Sequence, residues 1–339
     1  MVSPSMSSYQ YNSAGSPLDN QRKIRLAISA MMSLAFFYVI TNPWNVQPDA
    51  SIYEKTPMCN KSGKCGEVST VPSPRTIYSA KTQEQYDLWW QAHAKLNQSA
   101  AEYVERRGVS GDNTGNKRSL ILIGDSITEE WIGTNMGQPE SRWNGVPEVL
   151  KEYFEPLFDP LVLAIGGDQT QHLLWRLQNG ELLPSVAKDQ NAIFIMLIGT
   201  NNIGSGFLPG ETHLGVMAVA EYILSSTSGK LVMLQILPRG DSHRLQNICP
   251  PRCQSNGEPF ESFMPAVTQS NNAIFDSVDA LNPKYEKRLR LIDCGEEFRS
   301  SVPPPNHEVD TNVMPDSLHP NAKGSKILAK CILDGIKDF

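Results

Sequence analysis

Five short apolar runs, each followed by a segment of helical spacing, constrain this chain more than any other feature. Leu120–Ile123, Leu161–Ile165, Ile193–Ile198, Leu231–Leu237 and Leu289–Ile292 are continuous rather than alternating, and only Arg290 among them is charged. Segments 141–154, 170–180, 212–227, 266–281 and 321–337 place apolar residues at three- and four-residue steps. Strands apolar on both sides belong to parallel sheets covered on both faces, and amphipathic helices between them are the covers. The expected class is therefore α/β. A further helix precedes the first run, with Trp89, His93, Leu96, Ala100 and Tyr103 along one face. In open parallel sheets, ligands bind beyond the carboxyl ends of the strands. Chemistry is expected where each run stops.

The first run stops at Gly124-Asp125-Ser126, the second at Gly166-Gly167-Asp168 and the third at Gly199-Thr200-Asn201-Asn202. Asp316 and His319 stand three residues apart ahead of the last helix. One rim then carries a hydroxyl nucleophile, glycines that let backbone N–H groups approach, a side-chain amide and an Asp/His pair. Acyl transfer needs such a set. Serine needs a base, the base needs an orienting group, and a tetrahedral oxyanion needs fixed donors. Taken singly, each has a plain structural reading as a turn, a cap or a surface residue. Asp125 and Asp168 read as acceptors for loop N–H groups or helix starts. Trp175 and Leu177 read as packing residues, and His172 and Arg176 as structural or surface groups. His93, His213, His243 and His307 have no partner visible in the sequence.

The blocks "GDS", "IGGDQTQHLLWRLQNGEL", "GTNN", "LPRG" and "DSLHP" resemble the GDSL or SGNH hydrolases. They are most similar to the catalytic alpha subunits of intracellular platelet-activating-factor acetylhydrolase, over roughly residues 85–337. The resemblance implies a three-layer α/β/α sandwich, flavodoxin-like, with a central parallel sheet of about five strands. It implies Ser126 as nucleophile, His319 as general base and Asp316 as its orienting partner. It implies an oxyanion hole of Ser126 N–H, Gly167 N–H and the Asn201 side-chain amide. The implied reaction is hydrolysis of a short acyl or acetyl ester of a lipid, glycan or small metabolite through an acyl-serine. That mechanism needs no cofactor and no metal. A lumenal O-acyltransferase using the same serine and a catalytically silent interaction module are the alternatives. Homodimerisation is a further expectation, since related subunits form dimers. Ser126 is not set in G-x-S-x-G, so the strained elbow of α/β-hydrolases is not implied.

The chain departs from that family at its start. Its 339 residues, 40% of them hydrophobic, suit one domain with accessory segments. Residues 1–23 read as a disordered cytosolic tail, 24–44 as a transmembrane signal anchor, 45–78 as a Pro- and Ser-rich stem and 79–339 as the hydrolase domain. Leu26–Ile40 carries no charge and follows Arg22, Lys23 and Arg25. That flank predicts a cytosolic N-terminus, a lumenal catalytic domain and a secretory-pathway membrane. A cleaved signal peptide, giving a secreted protein, is the rival reading, and a core helix the other. Asn60 and Asn97 head glycosylation sequons. All six cysteines follow the apolar segment. Cys59–Cys65 and Cys249–Cys253 are close enough to pair locally, while buried free thiols are the plain reading of Cys294 and Cys331. Zinc at Cys249 and Cys253 with His243 would lack a fourth ligand. A net charge of −6 without a basic run excludes a nucleic-acid footprint.

Overall fold

The computed structural model describes residues 67–107, 117–300 and 308–339. Five strands form one sheet: β1 (Arg118–Gly124), β2 (Phe158–Ala164), β3 (Ile193–Leu197), β4 (Lys230–Leu234) and β5 (Leu289–Ile292). Their spatial order is β2-β1-β3-β4-β5, and every pairing is parallel. The apolar runs of β1 to β4 become strands buried on both faces, while in the edge strand β5 only Leu289 is buried. Because successive side chains point to opposite faces, each run serves two layers. Ile121 and Ile123 pack into the layer of α1 (Gln83–Arg107), α4 (Thr170–Arg176), α6 (Pro209–Ser226) and α7 (Met264–Leu281). Leu120 and Leu122 pack into the opposite layer, that of α3 (Val146–Tyr153) and α8 (Ala322–Ile336). Two short helices, α2 (Ser126–Glu129) and α5 (Thr200–Gly204), follow β1 and β3 directly. Each fully buried Leu or Ile contributes about 1.5–3 kcal/mol, so the strands alone make a substantial core.

Register sets up the site. Gly124 pairs with Ala164 on one side and with Leu197 on the other. The three strands therefore end level, and the residues after them emerge at one edge. The chain crosses from β2 back over β1 to β3, so this edge is the switch point where α/β sheets bind ligands.

Some boundaries differ from the pattern. The fourth run was expected to continue to Leu237, yet β4 ends at Leu234. The Asn271 side chain, from α7, takes over both Ile236 backbone groups, each at 2.9 Å. The helix expected over 141–154 begins only at Val146, because Gly145 turns the backbone to φ 88°. Residues 67–76, assigned to the stem, lie against the domain: Thr170 Oγ1 donates to Ser69 O at 2.8 Å and Ser73 N to Gln171 O at 3.2 Å. Cys294 and Cys331, left open between free thiols and a disulfide, are joined in a disulfide that ties the exit of β5 to α8. Cys249 and Cys253 pair as expected and so offer no thiolate to a metal. Cys59, Cys65, Asn60, His307, the tail 1–23 and the anchor 24–44 fall outside the described residues. Among the described residues, no helix is long and apolar enough to cross a membrane.

Candidate active site

Strand β1 hands Ser126 to the sheet edge through Gly124, where a side chain has no room. A Cβ there would lie 2.3 Å from Thr128 Oγ1 and 2.4 Å from Leu197 O. Asp125 then caps α2, its Oδ1 accepting the Ile127 N–H at 3.1 Å. Ser126 is the first residue of α2. The first N–H groups of a helix have no acceptor within it, and the helix dipole adds partial positive charge there.

Asp316 and His319 arrive from the loop before α8. Asp316 Oδ1 accepts the backbone N–H groups of Leu318 at 3.1 Å and His319 at 2.7 Å. Its Oδ2 accepts from His319 Nδ1 at 2.7 Å. Partial burial pushes the Asp316 carboxyl up, but the hydrogen bond and charge of His319 with those N–H groups outweigh it and hold it at about 2. An ionised carboxylate only accepts, so the His319 proton sits on Nδ1. Nε2 then presents a lone pair to the Ser126 hydroxyl, which donates to it across 2.9 Å. Trp143 packs against the imidazole at a centroid distance of 5.1 Å. Arg142 lies over Trp143 and 3.5 Å from Asp316 Oδ2.

Asn201 reaches the same place from α5. Its Nδ2 donates to Asp168 O at 3.0 Å and, more weakly, to Asp125 Oδ2 at 3.3 Å. It thereby connects the residue before Ser126 to the residue after Gly167. Gly167 has φ +80°, the left-handed region that favours glycine. Ser126, His319, Asp316, Asn201 and Gly167 thus meet along one rim.

Asp125, Glu129 and Glu130 lie buried behind that rim. Burial pushes the Asp125 carboxyl up to about 7, with the Asp168 charge adding to it and the Ile127 N–H opposing. Burial also raises Glu129, though it accepts Thr134 Oγ1 at 2.7 Å and the N–H groups of Met136 at 2.9 Å, Gly137 at 2.7 Å and Gly166 at 2.5 Å. Glu129 so fastens the loop 134–137 to the β2 turn. Glu130 is raised further; its Oε2 has no hydrogen-bond partner among the described residues, and Ser325 Oγ approaches its Oε1 only to 3.5 Å.

Asp168 corrects its expectation. It takes side-chain donors instead of loop N–H groups: Arg75 Nη2 at 2.9 Å, Trp89 Nε1 at 2.7 Å and Arg176 Nε at 2.7 Å. Arg176 also pairs with Glu181, which receives His93 at 2.9 Å. His172 meets Glu67 at 2.5 Å and His213 meets Ser277 at 2.7 Å. The buried Arg239 of "LPRG" donates to Asp241 at 2.6 and 2.9 Å and to Thr200 O at 2.7 Å. The next residue, Gly240, donates to Ser317 O at 2.8 Å. This turn links the Asn201 helix to the Asp316–His319 loop. Asn97, a glycosylation candidate, turns its Nδ2 to His93 Nε2 at 3.2 Å and Asn179 O at 3.4 Å. A glycan on that nitrogen replaces one of its two hydrogens, so both contacts could not be kept.

Residues 122–327 match the GDSL-like Lipase/Acylhydrolase family. The chain belongs to this family of ester-cleaving hydrolases. Among curated proteins it is similar to the platelet-activating factor acetylhydrolase IB subunit alpha2 of Gallus gallus, 38% identical over 155 residues, which is 44% of this chain and 62% of that one. The alpha1 subunit of Homo sapiens is 38% identical over 130 residues, 38% of this chain and 48% of that one. The alignments span less than two thirds of those relatives. The acetylxylan esterase Axe2 of Geobacillus stearothermophilus is a solved structure with TM-score 0.43 and 15% identity, covering 66% of this chain and 95% of its own.

Proposed function

We propose that this chain is a serine ester hydrolase that removes a short acyl group, acetyl foremost, from an alcohol. One observation carries the reading: the hydrogen-bonded series Ser126 Oγ, His319 Nε2, His319 Nδ1, Asp316 Oδ2 stands at the carboxyl edge of the sheet. His319 takes the hydroxyl proton as Oγ bonds to the ester carbonyl carbon. The oxyanion accepts from Ser126 N–H, Gly167 N–H and Asn201 Nδ2, whose long contact to Asp125 is the one that yields. His319 returns the proton to the departing alkoxide, leaving acyl-Ser126. A water molecule, deprotonated by His319, releases the acid and restores the serine. Acetyl is favoured because the similar alpha subunits are named acetylhydrolases.

The test is hydrolysis of esters of one alcohol with acyl chains of two to eight carbons, using the full chain from a secretory host. Rates that fall steeply beyond the acetyl ester support the reading; a preference for long chains counts against it. A lumenal O-acyltransferase would use the same acyl-serine and show a transfer product with added sugar. The intact Ser126–His319–Asp316 series speaks against a silent module. For location we propose the lumenal side of a secretory-pathway membrane, held by residues 24–44. The disulfides Cys249–Cys253 and Cys294–Cys331 support an oxidising compartment. Extraction of the protein by alkaline carbonate would count against the anchor.

A further inference from the structure

We propose that Arg75, from the segment ahead of α1, is a positioning residue for the oxyanion hole: it locks the Gly166–Gly167 peptide so that Gly167 N–H faces the reacting carbonyl. The inference rests on the esterase reading above. The argument begins with the peptide plane. In a trans peptide the C=O and the following N–H point in opposite directions. Arg75 Nη2 donates to Gly166 O at 3.1 Å. Holding that oxygen on one side therefore aims the Gly167 N–H to the other. The neighbouring groups are held as well. Gly166 N–H goes to Glu129 Oε2 at 2.5 Å, Asp168 N–H to Ile165 O at 3.2 Å, and Asp168 O accepts from Asn201 at 3.0 Å. Of the three N–H groups from Gly166 to Asp168, that of Gly167 has no hydrogen-bond acceptor among the described residues.

Two successive glycines make this lock necessary. Neither has a Cβ to oppose rotation of the peptide between them. A flipped peptide would present its oxygen to the oxyanion and repel it. A charged donor on Gly166 O opposes the flip and polarises the N–H. Arg75 is suited to the task because it is buried, 5% exposed, and its Nη2 also holds Asp168 Oδ1 at 2.9 Å. It is delivered by a segment fastened along its length. Ser69 Oγ donates to Glu211 O at 2.6 Å, and Glu67 Oε2 accepts from Gln171 Nε2 at 2.9 Å.

A plainer role would be charge balance, since Arg75 and Arg176 lie among Asp168 and Glu181. Lysine separates the two. Arg75→Lys keeps the charge beside Asp168, but its ammonium ends one bond short of Nη2, the single nitrogen that donates both to Asp168 Oδ1 and to Gly166 O, so it does not reach both. The experiment uses the full chain, with active sites counted by a phosphonate ester that labels Ser126. Wild-type hydrolysis and labelling at Ser126 establish the underlying reading separately. Arg75→Lys and Arg75→Met are then compared with wild type in kcat, in KM and in affinity for a trifluoromethyl ketone, which mimics the tetrahedral oxyanion. Displacing one donor by about an ångström costs roughly a hundredfold. The expected result is a kcat per titrated site about 10- to 100-fold lower in Arg75→Lys, with KM within about threefold and ketone affinity falling in parallel. If Arg75→Met does not fold, the lysine variant decides. Wild-type kcat and ketone affinity in Arg75→Lys would assign Arg75 to charge balance and overturn the proposal.

Discussion

Replacing Asn201 by alanine removes one side-chain donor and leaves Ser126, His319 and Asp316 untouched. The structure bounds both effects. Nδ2 makes a 3.0 Å bond to Asp168 O and a 3.3 Å contact to Asp125 Oδ2. Loss of the first leaves a carbonyl short of a donor, which costs about 1–2 kcal/mol of stability. The domain should therefore stay folded. Loss of the second matters when charge develops on the substrate oxygen. One oxyanion donor is worth about 2.7–4 kcal/mol, so kcat should fall about 100- to 1000-fold. KM should change little, because the ester carbonyl carries no full charge before attack. Asn201→Asp keeps the shape, removes the donor and adds negative charge near Asp125, so its loss should be at least as large. The assay is acetyl-ester hydrolysis per Ser126 titrated with phosphonate, with melting temperature recorded in parallel. A kcat within about threefold of wild type in folded Asn201→Ala would refute Asn201 as an oxyanion donor.

Three further outcomes can be checked. The disulfide Cys294–Cys331 spans 37 residues, and chain entropy assigns about 4 kcal/mol to a loop of that size; Cys294→Ser with Cys331→Ser should melt about 8–16 °C lower, and an unchanged melting temperature would remove the bond from the stability account. Asp125, with its carboxyl at about 7, and the raised Glu129 and Glu130 bind protons more tightly folded than unfolded, so stability should fall as pH rises from about 4 through 7, by up to about 1.4 kcal/mol per unit and group. Asp316 and Glu67, both at about 2, act oppositely and are lost only below about pH 4; a melting temperature higher at pH 8 than at pH 5.5 would contradict this balance. The inward-turned Asn97 should carry no glycan, so Asn60→Gln should abolish any glycosidase-sensitive mass, and a glycopeptide containing Asn97 would show that its contacts open.

The sheet was legible because its inner strands are buried on both faces, which leaves continuous apolar runs in the sequence. That Ser126, Asn201, Asp316 and His319 share one rim was legible because each lies at a strand end or in a short local motif. The residues that hold them were not. Arg75 lies 91 positions from the Gly166 oxygen that it binds, in a Pro- and Ser-containing segment that reads as a linker. Glu129 looks like any acid in the first turn of a helix, and only folding brings it four donors from two loops. The "LPRG" motif was visible, yet the sequence gives no sign that Arg239 reaches Thr200. Cys294 and Cys331 pair because the exit of β5 lies beside α8, a neighbourhood that follows from topology and not from spacing. Asp168 reads as a loop acceptor, yet two of its three side-chain donors, Arg75 and Trp89, come from 93 and 79 positions away and only folding brings them to it.

The central claim is that Ser126, activated by His319, is the acyl-accepting nucleophile. Its most direct measurement is covalent labelling with an acyl-like phosphonate ester, read by intact mass and by the modified peptide. The account predicts one label per chain, on Ser126. It predicts none in Ser126→Ala and much slower labelling in His319→Ala, since without the base the hydroxyl keeps its proton. Ester hydrolysis should vanish with the label. A label on another residue, or full hydrolytic activity in Ser126→Ala, would contradict it.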